Sequence, residues 1–251
     1  MNLSIIIPAY NEEKRLPPAL ERTMDLLMRD LKEPFEVMVI DDGSKDATGR
    51  SVEAFTDKYP VLRLVRLPQN KGRGIAVAHG VEIAQGDLIL EMDADGSVDS
   101  EAIPRFVDYM NTHPAADFVI GSRNIEGARI ARPQTLLRTL LGNVFFVLAG
   151  ILFGWDLRDR VNGFKMFRKQ VAKDIFSYQH ETGFLAEAEI VIIAERRGWK
   201  YELLPVVWTD YRDSRIHPFK ESWRSFWGMF KILQRDRSGI YDRKNSLHIS
   251  P

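Results

Sequence analysis

The chain contains no cysteine. Neither a disulfide framework nor a thiolate-held metal is available to it. It carries no net charge either: 35 Lys and Arg stand against 35 Asp and Glu. That balance lacks the basic excess with which nucleic-acid-binding domains hold phosphate backbones. Histidine is scarce, five in 251 residues, and no His/Asp/Glu cluster falls at zinc spacing. His180, before Glu181-Thr182-Gly183, reads as a packed or capping residue. No Gly-x-Ser-x-Gly elbow occurs, so a serine nucleophile has no support. Internal repeats and low-complexity segments are missing too. Met1-Asn2-Leu3 leads directly into an apolar run without a basic n-region, which predicts no secretory signal. What remains is a length suited to one large α/β domain.

The pattern along the chain agrees with that class. Leu3 to Pro8 is a β-branched apolar run closed by proline and reads as a buried strand. Leu16, Leu20, Met24, Leu27 and Leu31 recur at helical spacing. Phe35–Ile40 and Val61–Leu67 read as further strands, and Ser44–Tyr59 as a helix. Asn70-Lys71-Gly72-Arg73-Gly74 opens another helix, to about Ala84. Gly86 to Glu91 is a fourth strand. Alternating strands and helices predict a mainly parallel sheet, with ligands outside the carboxyl ends of its strands. Three of those ends carry Tyr10-Asn11-Glu12, Asp41-Asp42 and Asp93-Ala94-Asp95.

Asp93 and Asp95 lie two apart in a segment read as extended, so both carboxylates are expected on one side. A hard ion, Mg²⁺ or Mn²⁺, shared with substrate phosphates would relieve their repulsion. Asp-x-Asp alone also fits a solvated turn; the acidic clustering at one edge is better explained by a nucleotide with a metal-bridged diphosphate. Gly72-Arg73-Gly74 is neither a Walker A loop nor a dinucleotide fingerprint. Lys71 and Arg73 read as side chains near a base or phosphate, or as surface charge.

Taken together, Ile5-Ile6-Ile7-Pro8-Ala9-Tyr10-Asn11-Glu12-Glu13, Val39-Ile40-Asp41-Asp42-Gly43-Ser44, Asn70 to Gly74 and Met92 to Gly96 resemble the family 2 inverting glycosyltransferases. Ile120-Gly121-Ser122-Arg123, Asn162-Gly163-Phe164-Lys165 and Val207-Trp208-Thr209-Asp210 resemble its polyprenyl-phosphate branch, which includes dolichyl-phosphate glucose and mannose synthases. The likeness runs from about Leu3 to Lys231. It implies a single nucleotide-sugar-binding domain of the glycosyltransferase A type. It also implies transfer of a hexose from a UDP- or GDP-sugar to a polyprenyl phosphate, inverting the anomeric centre. By resemblance Pro8, Tyr10, Glu12 and Asp42 line the nucleotide site. Asp93 and Ala94 meet the nucleotide, Asp95 holds the metal, and Arg123 approaches the sugar or acceptor phosphate. Two positions depart from the pattern. Glu187 in Ala186-Glu187-Ala188-Glu189 replaces an aspartate, and Ser214-Arg215 replaces Ser-Lys, which exchanges a point charge for a fork.

The chemistry agrees with a phosphate acceptor. A leaving diphosphate needs a cation, and a metal on Asp95 would supply it. An acceptor phosphate is ionised near neutral pH and needs no strong base, so arginines that guide it matter more. Candidates are Arg123, Arg129, Arg132, Arg138, Arg212 and Arg215. Transfer to a sugar or glycan hydroxyl would instead require a carboxylate base, Glu187 or Asp159. A sugar-nucleotide pyrophosphorylase and a non-catalytic nucleotide-sugar-binding module are the other readings. The first lacks its N-terminal Gly-rich loop, and the intact Asp93/Asp95 pair argues against the second.

The second half adds a membrane question. Residues 1–211 read as the catalytic domain and 212–251 as a basic amphipathic segment. From Arg212 to Lys244 nine Lys and Arg face four Asp and Glu. Trp223, Phe226, Trp227, Phe230 and Leu233 share one helical face, with Arg224, Lys231 and Arg235 off it. That helix either lies in a lipid interface or packs on the core. Thr139 to Trp155 is seventeen residues without a charge, at the lower limit of about 17 for a span, and Gly142, Asn143 and Gly150 interrupt it. Residues 134–155 read as an interfacial or dimer-forming helix, with a buried core helix as the alternative. The expected setting is peripheral, on the cytoplasmic face of a membrane.

Overall fold

The computed structural model describes residues 3–133, 136–154, 157–211 and 218–242. The apolar run at the N-terminus forms β1 (Leu3–Ala9), buried along its whole length. It lies between β2 (Phe35–Asp41) and β4 (Leu88–Met92), parallel to both, and β2 pairs in parallel with β3 (Leu62–Arg66). Beyond β4 come β7 (Phe164–Arg168), β5 (Phe118–Ser122) and β8 (Tyr201–Pro205). The seven-stranded order is β3-β2-β1-β4-β7-β5-β8. β7 runs antiparallel to both neighbours, whereas β8 is parallel to β5. The sheet is therefore mainly parallel with one reversed strand. Two short strands, β6 (Arg129–Arg132) and β9 (Val207–Thr209), pair in parallel beside it.

The twofold alternation of the strands divides the core in two. Leu3, Ile5, Ile7, Val37 and Val39 face α1 (Leu16–Asp30) and α4 (Ala102–Thr112). Ile6, Met38, Ile40 and Ile89 face α3 (Arg73–Ile83), α6 (Lys169–Ser177) and α7 (Ala186–Arg196). Both sheet faces are covered, which is why the strands read as continuous apolar runs. α1 places two prolines in its first turn, where no intrahelical N–H is needed, and buries Leu16, Leu20, Met24 and Leu27. α3 packs close: a Cβ on Gly80 would sit 2.6 Å from Ile6 Cγ2.

One helix is shorter than expected. α2 spans Thr48–Thr56, not Ser44–Tyr59. Residues 44–48 bind the neighbouring loop instead. Ser44 Oγ accepts the Asn11 N–H, Thr48 Oγ1 accepts the Glu12 N–H, and Asn11 Oδ1 accepts the Lys45 N–H. Short polar side chains that bond backbone groups compete with helix formation.

α5 (Leu136–Phe153) packs one side on the core through Phe146, Ala149 and Leu152. Leu140, Val144, Val147 and Ile151 form an exposed apolar stripe on it. α8 (Pro218–Arg237) touches α5 and buries Met229 and Ile232 in the same core as α3 and α7. Trp227 and Phe230 stay exposed; the side chains of Trp223, Arg224 and Phe226 lie outside the described set. Arg235 corrects the expectation of a lipid-facing base. It donates to Glu181 and to the buried Glu189, at 2.8 and 3.0 Å, because a buried carboxylate holds a nearby guanidinium more firmly than solvent does. Among the described residues no helix is long and apolar enough to cross a membrane.

Candidate active site

The carboxyl ends of β1, β2 and β4 meet at one edge of the sheet, as Pro8 opposite Ile40 and Ala9 opposite Asp41 require. Pro8 is buried in β1, and Tyr10 emerges at its end. Tyr10 and Asp41 line an open cleft of about 650 Å³ with Ser44, Pro68 and Asn70. Asp93 and Asp95 do not line it; the cleft extends the edge on the β2–β3 side.

Asp42 is almost fully buried and acts as a backbone clamp. Its two oxygens accept the N–H groups of Lys71 and Gly72, both at 2.8 Å. Burial pushes its carboxyl above the usual range, and those two bonds pull the other way. The Lys71 side chain is left exposed above the same turn. Gly72 must be glycine there: its φ is +100°, and a Cβ would meet the Thr182 carbonyl oxygen at 2.4 Å.

The Asp93–Asp95 segment differs from the extended reading. β4 ends at Met92, and Gly96 adopts φ +68° in the turn that follows. The two carboxylates consequently diverge. Asp93 faces α3, where Arg73 Nη2 approaches it at 2.9 Å. Asp95 faces α1: its Oδ1 accepts Ser97 N–H at 3.0 Å, and its Oδ2 lies 3.5 Å from Arg15 Nη1. Ala94, between them, is buried.

Behind Asp93 runs a buried chain of charge. Arg73 pairs with Asp93 and Glu187, and Lys165 pairs with Glu187 and, at 3.4 Å, with Glu91. Lys165, Glu187 and Glu91 are all shielded from solvent. Burial opposes ionisation of Glu187, yet Arg73 and Lys165 together hold its carboxyl below the usual range. Burial and the Glu187 charge push Glu91 the other way, to about 8. Gly163 makes room for the chain: a Cβ there would lie 2.3 Å from both Arg73 Nη2 and Asp93 Oδ1.

Arg123 reaches the edge from β5. Its guanidinium lies 4.7 Å from the Trp208 ring centre, a cation–π arrangement. β9 carries Trp208, and Thr209 N–H donates to the Ser97 carbonyl, two residues beyond Asp95. One short strand thus connects the Arg123 loop to the acidic loop. Asn162 secures the same region by donating to the Gly121 and Asp159 carbonyls, both at 2.8 Å. Arg215 and its neighbour Ser214 lie outside the described residues.

The structure therefore gathers Tyr10, Glu12, Asp42, Lys71, Asp93, Ala94, Asp95 and Arg123 along one edge, with Glu187 sealed behind Asp93. Sequence reasoning missed Arg15, Lys165 and Glu91. A signal existed for two of them: Glu91 and Lys165 are charges inside otherwise apolar strands, and they are cross-strand partners.

Among the described residues no three His, Cys, Asp or Glu form a ready-made metal cage. The donor set still suits Mg²⁺ or Mn²⁺, which bind through one or two carboxylates and complete their shell with water and substrate phosphates.

A mainly parallel sheet covered on both faces, with acidic loops at its carboxyl edge, defines a nucleotide-sugar-binding domain of the glycosyltransferase A type. The chain belongs to glycosyl transferase family 2, whose model matches residues 4–176, and it is a hexosyltransferase. It is 32% identical over 252 residues to the dolichyl-phosphate β-glucosyltransferase of Dictyostelium discoideum, covering 97% of this chain and 77% of that protein. It is 33% identical to the human dolichyl-phosphate β-glucosyltransferase, covering 86% and 70%. A Trichomonas vaginalis protein of the same description is 35% identical, and there the chain spans 65% of the relative's length. Among solved structures, glucosyl-3-phosphoglycerate synthase from Mycobacterium tuberculosis, in complex with Mn²⁺, UDP-glucose and phosphoglyceric acid, superposes with a TM-score of 0.70. That match covers 93% of this chain and 80% of the other at 17% identity, a likeness of fold.

Proposed function

We propose that this protein transfers a hexose, glucose in preference to mannose, from a UDP- or GDP-sugar to a polyprenyl phosphate, with inversion and with Mg²⁺ or Mn²⁺. The observation that carries this reading is the state of Glu187. A hydroxyl acceptor needs a base that can take its proton. Glu187, one of the two carboxylates considered for that task, is buried, and Arg73 and Lys165 hold its carboxyl below the usual range, which makes it a weak proton acceptor; Asp159, the other, accepts from the Asn124 amide. An acceptor that arrives already ionised requires no such group. The names of the relatives support a dolichyl-type phosphate and glucose, and UDP-glucose in the structural neighbour supports the donor.

In this reading Tyr10, Glu12, Asp42 and Lys71 form the nucleotide side of the edge. Asp95 would hold the ion, which would supply positive charge to the leaving diphosphate; Asp93, expected to share it, turns instead to Arg73. Arg123, placed over Trp208, orients the acceptor phosphate with a planar fork of donors. The exposed stripe of α5 and the outward Trp227 and Phe230 of α8 support docking on a lipid surface. The membrane side of that surface is proposed to be cytoplasmic.

The test is an assay with a panel of labelled UDP- and GDP-sugars, polyprenyl phosphate and Mn²⁺ or Mg²⁺. Lipid-extractable label is expected with UDP-glucose foremost, and none with dephosphorylated polyprenol. Asp95→Asn is expected to lower transfer at least 100-fold with an unchanged melting curve, in line with loss of an electrostatic contact to the leaving group. Full activity in excess EDTA would remove the metal from this reading; efficient labelling of a free sugar hydroxyl would replace the acceptor.

A further inference from the structure

We propose that Arg15 occupies Asp95 in the resting protein, so that the divalent ion enters only together with the sugar nucleotide. The inference rests on the metal reading above and adds an order of binding to it. Arg15 immediately precedes α1, and its backbone N–H donates to the Glu12 carbonyl, a turn that folds it back over the end of β1. Its Nε donates to Glu12 Oε2 at 2.7 Å, and Nη2 reaches the other oxygen of the same carboxylate. Nη1 is left pointing toward Asp95, 3.5 Å from Oδ2. Both side chains are only about one-fifth exposed, at 21% and 23%, so solvent screens the pair incompletely. The other Asp95 oxygen is taken up by Ser97. Asp93, the second carboxylate of the motif, is likewise held by an arginine, Arg73.

A bare ion approaching Asp95 would thus meet a guanidinium already neutralising it. Binding would require the ion to displace that charge or to sit beside it, and both are unfavourable. A nucleotide diphosphate changes the balance. It brings negative charge, supplies oxygen ligands to the ion and gives Arg15 an anion of the geometry guanidinium prefers. Glu12 holds Arg15 through two of its nitrogens, so the guanidinium can release Asp95 while staying at the edge.

The experiment is a Mn²⁺ titration followed by electron paramagnetic resonance, which counts free ion and needs no turnover. Wild type, Arg15→Gln and Arg15→Lys are titrated alone and with saturating UDP-glucose. Without nucleotide, Arg15→Gln is expected to bind Mn²⁺ roughly five- to tenfold more tightly than wild type. Arg15→Lys, which keeps the charge but loses the fork, is expected to fall between them. With UDP-glucose the wild type is expected to bind strongly and the gap to narrow. Circular dichroism melts establish that each variant is folded; if Arg15→Gln does not fold, the lysine variant carries the comparison. Equal Mn²⁺ affinity of wild type and variants without nucleotide overturns the proposal, as does wild-type affinity that ignores the nucleotide. A wild type that takes up no Mn²⁺ even with UDP-glucose removes the metal reading itself, a distinguishable failure.

Discussion

Lys165 is the residue on which the interior charge of this fold turns. Its ammonium is fully buried and serves two carboxylates, Glu187 and Glu91. Lys165→Met leaves both without it, and breaking a buried pair on one side costs about 3–5 kcal/mol. Urea unfolding is expected to show that loss, and adding Glu91→Gln to recover part of it. Glu91 also sets a pH dependence. Its carboxyl is raised from the ordinary 4.5 to about 8, chiefly by burial, and Oε2 meets no donor. Between those values the folded chain retains a proton that the unfolded chain has lost. The stability from this group is therefore fully present below about 4.5 and is lost as pH rises through 8. Glu91→Gln is expected to flatten the decline in stability between pH 5 and 8; an unchanged slope would show that Glu91 ionises normally.

At the scale of elements, α8 is attached through specific contacts among the described residues. Gly228 lies so close to Leu185 that a Cβ would sit 2.2 Å from Leu185 Cδ1. Glu189 gathers Arg235, the Tyr241 hydroxyl at 2.6 Å and the N–H groups of His180 and Glu181. Arg235→Ala removes the only one of these donors that carries a charge, at a cost of about 1–3 kcal/mol. Amide exchange is expected to accelerate through residues 218–242 and to stay unchanged in α1. Unchanged exchange in α8 would mean that the apolar contacts of Met229 and Ile232 suffice. The same elements mark what could be read beforehand. Leu16, Leu20, Met24 and Leu27 announced α1 because a helical stripe is a local pattern. The reversal of β7 was not legible, since a short apolar strand carries no mark of its neighbours' direction. The charge chain was hidden for a similar reason: Arg73 and Glu187 are 114 residues apart. Asp93 and Asp95 were legible as a pair, but their divergence depends on the turn at Gly96.

At the scale of the whole molecule, the nucleotide edge and the exposed apolar surface belong to different parts of one fold. The edge is built by β1, β2 and β4, whereas the apolar surface is the α5 stripe with Trp227 and Phe230 of α8, two helices that touch. The sequence placed four aromatics on that face of α8; the two whose side chains are described do point outward, while Met229 and Ile232 fasten the helix from behind. Core packing through one side of the helix thus leaves its other side available for the proposed interfacial attachment. Partial burial of Trp227, Phe230, Val147 and Ile151 in lipid would contribute about 1 kcal/mol each, and the exposed Lys231 about 1 kcal/mol against anionic headgroups. Changing Trp227, Phe230, Val147 and Ile151 to Ser is therefore expected to reduce cosedimentation with anionic liposomes at least tenfold. Because these side chains are already exposed, the melting temperature is expected to move by no more than a few degrees. UDP-glucose binding is expected to persist, because none of the four substituted side chains belongs to the Tyr10, Asp42 and Asp95 edge and all are exposed. Transfer to a polyprenyl phosphate embedded in vesicles should fall with vesicle binding, while transfer to a short detergent-soluble polyprenyl phosphate should not. A variant that binds vesicles as wild type does, but melts far lower, would show that these side chains serve the fold and not the membrane.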